Sequence, residues 1–118
     1  MNTSSIEFGA LTSQYPAESR AIERIEHIFD KKGAEHPLEN VFDLAKPSSS
    51  YVLVNMMMKL VELGLLKQCY RVQSTSGNGG IGDYDSLPDI PDVIYDHFLG
   101  REVLIDFDSI KVIYKSSK

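Results

Sequence analysis

A glycine-rich segment is the first part of the chain whose residue types and spacing could do chemistry. Gly77-Asn-Gly-Gly-Ile-Gly82 has the spacing G-x-G-x-x-G and follows a predicted strand. Glycines at this spacing can cradle a dinucleotide pyrophosphate when a helix opens directly after them. Residues 83–88 are acidic and end in proline, which makes a poor helix start. The segment therefore predicts a surface turn and no dinucleotide site.

Three carboxylates follow the glycines. Asp83, Asp85 and Asp89 lie close together in the sequence, and carboxylate oxygens are the ligands that hard divalent cations prefer. The segment lacks the spacing and the closing glutamate of an EF-hand loop. We therefore interpret it as a solvated acidic loop and assign no metal to it.

The other residues that could carry chemistry are isolated. His27, His36 and His97 have no Cys or His partner at ligand spacing. The single cysteine, Cys69, lies in a strand pattern that favours a packed thiol over a reactive one. The sequence indicates no pairing of a nucleophile with a base. We therefore expect a protein that is not an enzyme and holds neither a metal nor a cofactor.

The residues that could bind a partner are positioned by a predicted helix that ends at Gly64 and by the strand that follows it. The helix has apolar residues at the spacing of a buried stripe: Val52, Met56, Leu60 and Leu63. Gly64 suits the left-handed position that closes a helix, and Leu65-Leu66 can fold back on the last turn. Residues 69–73 then show the alternation of a half-buried strand.

Two more helices are predicted upstream. Residues 16–32 begin with a proline suited to a first turn and have an apolar face. Residues 38–45 also have one apolar face, and Lys46-Pro-Ser-Ser-Ser50 follows as a turn whose serines can cap the next helix. Two helices joined by a short turn form the helix-turn-helix plan.

These features resemble the winged helix-turn-helix superfamily over residues 37–72. Leu60-Val-Glu-Leu-Gly-Leu-Leu-Lys67 is similar to the end of the recognition helix and the start of the first wing strand in such domains. The resemblance is to the fold and to no specific family. It implies a three-helix core with a small antiparallel sheet and a wing.

The remaining segments complete the predicted fold. Residues 74–91 are rich in Gly, Ser, Asp and Pro and predict a long flexible loop. The resemblance implies that this loop is the wing or an insertion in the wing. Strand patterns return at residues 93–95, 101–105 and 110–115, the first two close enough for a hairpin. We therefore predict an α+β winged helix in one domain over residues 1–118, with residues 1–14 as an N-terminal segment.

Composition and charge limit the class of partner. The 118 residues are 42% hydrophobic and 25% charged, as in an ordinary globular domain. No apolar run approaches the roughly 20 residues of a bilayer crossing, and the first residues lack the features of a signal peptide. We therefore expect a cytoplasmic protein without a membrane partner. Residues 75–118 carry eight acidic and four basic residues, whereas residues 48–74 carry three basic and one acidic.

Two functions follow from this charge pattern. The first is a non-catalytic protein-interaction module of a regulatory, adaptor or inhibitor type, which binds a basic partner through its acidic loop and C-terminal strands. Its expected partner-binding residues are Asp83, Tyr84, Asp85 and Asp89. The alternative is a dimeric DNA-binding transcription regulator. Its expected contact residues are Ser49, Ser50, Tyr51, Asn55, Lys59 and Arg71.

A third possibility concerns the last predicted strand. Residues 110–114 could be an exposed edge that pairs with a partner in a larger assembly, with Lys111 and Lys115 guarding that edge in the free chain. This interpretation predicts that the strand has a neighbour on one side only.

Overall fold

The chain forms two compact units. The computed structural model describes residues 3–117, with side chains from Phe8 onwards. One unit, which we call the helical unit, holds the described residues up to Lys67 together with those from Tyr114; the other, the hairpin unit, is Gln68–Ile113. The elements are α-helices and antiparallel β-strands, which confirms the α+β class.

The described part of the helical unit contains four α-helices. They are α1 (Thr3–Gln14), α2 (Ser19–Ile28), α3 (Leu38–Ala45) and α4 (Ser50–Glu62). A 3₁₀ turn, Pro16–Glu18, precedes α2, and a short strand, β1 (Glu35–Pro37), lies between α2 and α3. Apolar side chains of all four helices are buried: Leu11, Ile22, Ile25, Val41, Leu53, Met56 and Leu60. These side chains form the core of this unit. Burial of each of them contributes roughly 1.5–3 kcal/mol to stability.

Helix α4 has the start and end that its sequence predicts. The Ser49 hydroxyl accepts the N–H of Val52 at 3.1 Å, which caps the first turn. Gly64 has φ +77°, and its N–H donates to Val61 C=O at 3.0 Å. Leu65 N–H donates to Leu60 C=O at 3.0 Å, which completes a Schellman motif. The predicted stop at Gly64 is confirmed.

A buried carboxylate holds the turn between α3 and α4. Glu18 is 8% exposed and accepts the N–H of Ser48 at 3.1 Å, together with a short bond from the Ser48 hydroxyl. Arg24 of α2 donates to the C=O of Ala45 at 3.0 Å. Lys46, at φ 54°, adopts the left-handed conformation that ends α3. The predicted pair of helices with a short turn is therefore present.

Five further strands follow α4. They are β2 (Leu66–Gln73), β3 (Gly80–Tyr84), β4 (Val93–Asp96), β5 (Arg101–Leu104) and β6 (Ile110–Ser116). One sheet has the order β1-β6-β2-β3, and β4 and β5 form a separate two-stranded sheet. The hairpin predicted for residues 93–105 is confirmed by the β4–β5 pairing.

The N-terminal prediction differs from the structure in two places. The segment predicted without an element, residues 1–14, contains α1. Its signal is weak because it includes Gly9 and several Ser and Thr residues, and Phe8 and Leu11 are the buried apolar residues described in it. The helix predicted for residues 16–32 is a 3₁₀ turn followed by α2, which ends at Ile28.

The segment predicted as a loop, residues 74–91, contains the strand β3. Residues Tyr70 to Gln73 pair antiparallel with residues 80–84, and Ser74 N–H donates to Gly79 C=O at 2.8 Å to close the turn. The apolar alternation of a strand is missing because Gly80 and Gly82 occupy β3. A Cβ at Gly80 would lie 2.8 Å from Arg71 Cδ, and one at Gly82 would lie 2.9 Å from Tyr84 Cε2. A side chain at either position would therefore displace Arg71 or Tyr84.

The last strand is not a sheet edge. β6 lies between β1 and β2 in the four-stranded order. Ser116 N–H donates to Ala34 C=O at 2.8 Å, and Lys115 forms an ion pair with Glu35 at 3.7 Å. The expectation that the last strand has a neighbour on one side only is therefore wrong for β6 as a whole, because β1 and β2 lie on its two sides. The described contacts with β1 are at Lys115 and Ser116, so a free edge at residues 110–114 themselves stays a prediction.

Candidate protein-interaction surface

A buried carboxylate organises the hairpin unit. Asp96, the last residue of β4, is 0% exposed. Its Oδ1 accepts the backbone N–H groups of Phe98 at 2.9 Å and Leu99 at 3.1 Å, and its Oδ2 accepts the Ser74 hydroxyl at 2.6 Å. Because the Ser74 hydroxyl has one hydrogen, Ser76 is the donor in the 2.7 Å contact between the two serine oxygens. Asp96 thus fixes the β4–β5 turn to the residue that follows β2.

The hydrogen bonds keep Asp96 ionised. Burial by itself would raise the pKa of this carboxyl, because it disfavours the charged form. The bonds donated by Ser74, Leu99 and Phe98, with the nearby His97, outweigh burial and hold the pKa of Asp96 below its ordinary value of 3.8. A fully bonded, buried carboxylate of this kind stabilises local structure. We therefore assign Asp96 a structural role, since its described bonds join it to Ser74 and to the turn N–H groups.

The β4–β5 hairpin has an exposed face that is largely apolar. Val93 pairs with Leu104, and Tyr95 pairs with Glu102. Because alternate residues of a strand point to the same side, these four side chains share one face. Leu104 is 80% exposed and Tyr95 is 59% exposed. Apolar side chains of this size usually lie inside a domain, so the face is a candidate for contact with another molecule.

An open groove continues this surface at the end of the hairpin away from its turn. It has a volume of about 450 Å³ and is lined by Ile90, Pro91, Asp92, Leu104, Ile105, Phe107 and Ile110. A hydrogen bond of 3.0 Å from Ile105 N–H to Asp92 C=O joins the two segments that line it. Phe107 begins the 3₁₀ turn Phe107–Ser109 and is 74% exposed. We call these lining residues the Leu104–Phe107 groove.

Carboxylates flank the groove and the exposed face. Five of them are exposed: Asp89, Asp92, Glu102, Asp106 and Asp108. Asp106 and Asp108 stand on either side of Phe107, and the Asp106 side chain accepts the N–H of Asp108 at 3.1 Å. The hairpin unit has eight acidic and three basic residues in all. The apolar surface therefore lies among negative charges.

The structure places the four predicted partner-binding residues near β3. Asp83 forms a two-point ion pair with Arg71, with Oδ1 2.7 Å from Nε and Oδ2 2.9 Å from Nη2. Tyr84 is half-buried opposite Tyr70 in the β2–β3 ladder. Asp85 and Asp89 are exposed beyond β3. Asp83 is thus engaged within the unit, and of the four residues Asp89 is the one among the carboxylates that flank the groove.

The predicted DNA-contact residues of the helical unit lie at and along α4. Ser49 caps the helix, and the Asn55 amide donates to Tyr51 C=O at 3.0 Å. Lys59 lies 3.9 Å from Glu62, and Ser50 is exposed in the first turn. Tyr51 and Met58 are 79% and 50% exposed and, with Val54, form an apolar stripe on the same helix. The remaining candidate, Arg71, belongs to the hairpin unit and binds Asp83.

Sequence reasoning missed the groove. Leu104 lies within the strand predicted for residues 101–105 and Phe107 follows it, and a large apolar residue is normally expected inside at such positions. The strand alternation assigns residues to two faces, but it does not show which face remains uncovered. The acidic residues around Phe107 were the available signal, since charges on both sides of an aromatic residue favour an exposed turn.

Comparisons with known proteins add no identity to this geometry. The chain matches no protein-family model, no curated protein and no solved structure. None of the helices described between residues 3 and 117 has the length and apolar character to cross a membrane. Over the same residues, no group of three or more His, Cys, Asp or Glu side chains converges as a metal site.

Proposed function

We propose that this chain is a non-catalytic protein-interaction module whose hairpin unit binds a partner protein with a basic and apolar surface. The single observation that carries the proposal is the Leu104–Phe107 groove, an exposed apolar surface flanked by carboxylates. A regulatory, adaptor or inhibitor role fits such a module, because each of these roles depends on binding another protein.

The apolar residues supply the proposed affinity. Leu104 and Phe107 are 80% and 74% exposed, so a partner that covers them removes most of their surface from water. Binding energy in protein interfaces is concentrated in a few residues that become buried at the centre. Leu104 and Phe107 are placed to be those residues.

The flanking carboxylates supply the proposed selectivity. Asp92, Glu102, Asp106 and Asp108 would attract Lys and Arg side chains around an apolar contact and would repel an acidic surface. Charges at an interface rim raise the rate of association more than the affinity, and salt screens them. The proposal therefore expects association that slows as salt is added.

The finer fold that we propose is a winged helix. In that fold three helices precede a pair of strands joined by the wing, and a strand between the first two helices completes the sheet. Helices α2, α3 and α4, the strand β1 and the sheet order β1-β6-β2 support this assignment. On this assignment β2 and β6 are the wing strands, and the residues between them form an enlarged acidic wing.

Two observations favour protein over DNA as the partner. The helix that would read a DNA groove, α4, exposes Tyr51, Val54 and Met58 in place of a basic stripe. Its Lys59 has an acidic neighbour in Glu62. Binding to a phosphate backbone depends on Lys and Arg that neutralise it, and this helix offers few.

Photo-crosslinking at two positions tests the proposal. Phe107 is replaced by p-benzoylphenylalanine, and in a matched control Tyr51 is replaced instead, since both side chains are largely exposed. After irradiation in extract of the native cells, we expect a crosslink from position 107 to a protein segment that combines apolar residues with Lys or Arg. We also expect that adding Leu104→Asp removes this crosslink.

Two results would overturn it. One is a crosslink at position 107 that persists with Leu104→Asp, because the groove would then not hold the partner. The other is crosslinking confined to position 51, to nucleic acid or to protein, which would move the binding surface to α4.

A further inference from the structure

We propose that the partner binds as an extended segment that adds a strand to the outer edge of β5. This inference rests on the proposed function, since it assigns the binding mode and the partner sequence for the same surface. It is carried by the direction of the main-chain groups of β5 and by the side chains on either side of them.

The hydrogen-bond pattern identifies which groups point outward. Ile105 N–H donates to Asp92 C=O, so these two residues are a bonded pair of the antiparallel ladder. Bonded pairs alternate along such a ladder. With Ile94 opposite Val103 in the register, residues 101, 103 and 105 direct their main-chain groups toward β4. Glu102 and Leu104 therefore direct their N–H and C=O groups away from it.

The outer edge of β5 has room for another strand. Among residues 3–117, β4 is the only strand that pairs with β5. Arg101, Glu102 and Leu104 are all exposed. An unpaired edge can accept an extended peptide, whose main-chain bonds supply affinity and whose side chains supply specificity. The short length and charges of β5 disfavour pairing of two copies of the same edge.

The neighbouring side chains determine the sequence that fits. In an added strand, the residues opposite Leu104 and Glu102 form main-chain hydrogen bonds with them. The side chains of these residues lie on the same face of the sheet as Leu104 and Glu102. Leu104 favours an apolar residue, and Glu102 favours Lys or Arg two positions away. On the other side of Leu104, Asp106 and Asp108 favour a second basic residue. The partner segment therefore has the pattern basic-x-apolar-x-basic in an extended conformation.

Titration with N-methylated peptides tests the edge directly. The probe is a capped, fluorescent peptide with a central leucine, a lysine two positions to each side and threonine elsewhere. One variant carries N-methyl groups on the leucine and the following lysine, which removes donors that face β5. The matched control carries N-methyl groups on the two flanking threonines, whose N–H groups face away.

We expect saturable anisotropy binding to the full chain by the unmodified peptide and by the threonine-methylated control. The leucine-and-lysine-methylated peptide should bind at least about tenfold more weakly, because it loses main-chain bonds. Amide hydrogen exchange should slow at Glu102 and Leu104 on binding, and Val103, which already bonds to β4, should change less.

The outcomes separate this inference from the proposed function. Equal binding by both methylated peptides that is lost in Leu104→Asp would overturn the strand addition and leave the groove as the binding site. Binding that is unchanged in Leu104→Asp would contradict both proposals. Absence of saturable binding by the unmodified peptide would overturn the inference, while the crosslink at position 107 would still decide the proposed function.

Discussion

The hydroxyl of Ser74 donates a 2.6 Å hydrogen bond to Oδ2 of Asp96, and both residues are buried. The bond joins the residue after β2 to the end of β4, 22 positions later in the chain. Since Asp96 also accepts two N–H groups of the β4–β5 turn, one carboxylate sets the position of the hairpin that carries Leu104. The proposed binding surface thus depends on a bond that lies away from it.

Removal of the Ser74 hydroxyl should destabilise the protein. In Ser74→Ala, Asp96 loses a donor inside the unit, and a buried charged acceptor without its partner is unfavourable. Ser76→Ala is the control, because Ser76 is exposed and contacts Asp96 only through Ser74. We expect a lower melting temperature for Ser74→Ala than for Ser76→Ala in thermal denaturation. Equal melting temperatures would contradict this role of the bond.

Asp96 should also make stability depend on pH. Its folded-state pKa lies below 3.8, so its ionisation contributes stability that is fully present above the unfolded-state pKa and is lost as pH falls through the folded-state value. The difference in unfolding free energy between the wild type and Asp96→Asn should therefore be constant above about pH 5.5 and shrink on acidification. Urea denaturation across this range measures it. A difference that grows at low pH would contradict the lowered pKa.

Gly64 should tolerate no side chain without cost. At φ +77° an L-residue is strained even though a Cβ would meet nothing within 4 Å, so Gly64→Ala should destabilise by about 1–2 kcal/mol. Gly9→Ala is the matched control, since it also has open space, lies within α1 and has no positive φ. It should stabilise by roughly 0.5–1 kcal/mol. Chemical denaturation distinguishes them, and a stabilising Gly64→Ala would be inconsistent with the Schellman motif.

The chain should not bind duplex DNA in the manner of a regulator. We expect no salt-dependent change in the anisotropy of a labelled random-sequence duplex at low or near-physiological salt, because α4 exposes an apolar stripe. The alternative function predicts tight binding to DNA, and it predicts that Lys59→Glu and Arg71→Glu each abolish this binding. Such a result would make α4 a DNA-reading helix and remove the argument from α4 that favours protein over DNA.

Local signals in the sequence were enough to predict much of the helical unit. The apolar spacing of α3 and α4, the Ser49 cap and the Gly64 stop each depend on residues within a few positions of one another. The same holds for the β4–β5 hairpin, whose strands are close in sequence. Interactions of this range are readable because the chain has little freedom between the groups involved.

The hairpin unit was harder to predict because its features depend on distant residues. β3 has glycines where Arg71 and Tyr84 approach, so its strand pattern is absent. Whether Leu104 and Phe107 are exposed depends on how the other elements pack, and this is a property of the tertiary structure. The engagement of Asp83 by Arg71 likewise depends on the β2–β3 register. The predicted acidic character of the segment is present, and Asp92, Glu102, Asp106 and Asp108 extend it beyond Asp89.

The most direct test of the central claim is the affinity of the partner crosslinked at position 107 for three forms of the chain. The forms are the wild type, Leu104→Asp and Met58→Asp, the last a control because Met58 is exposed on α4. Calorimetric titration should show a loss of at least about 30-fold for Leu104→Asp, the size expected of a central interface residue, and an unchanged affinity for Met58→Asp. Unchanged binding by Leu104→Asp, or a loss in Met58→Asp alone, would contradict the assignment of the groove as the binding surface.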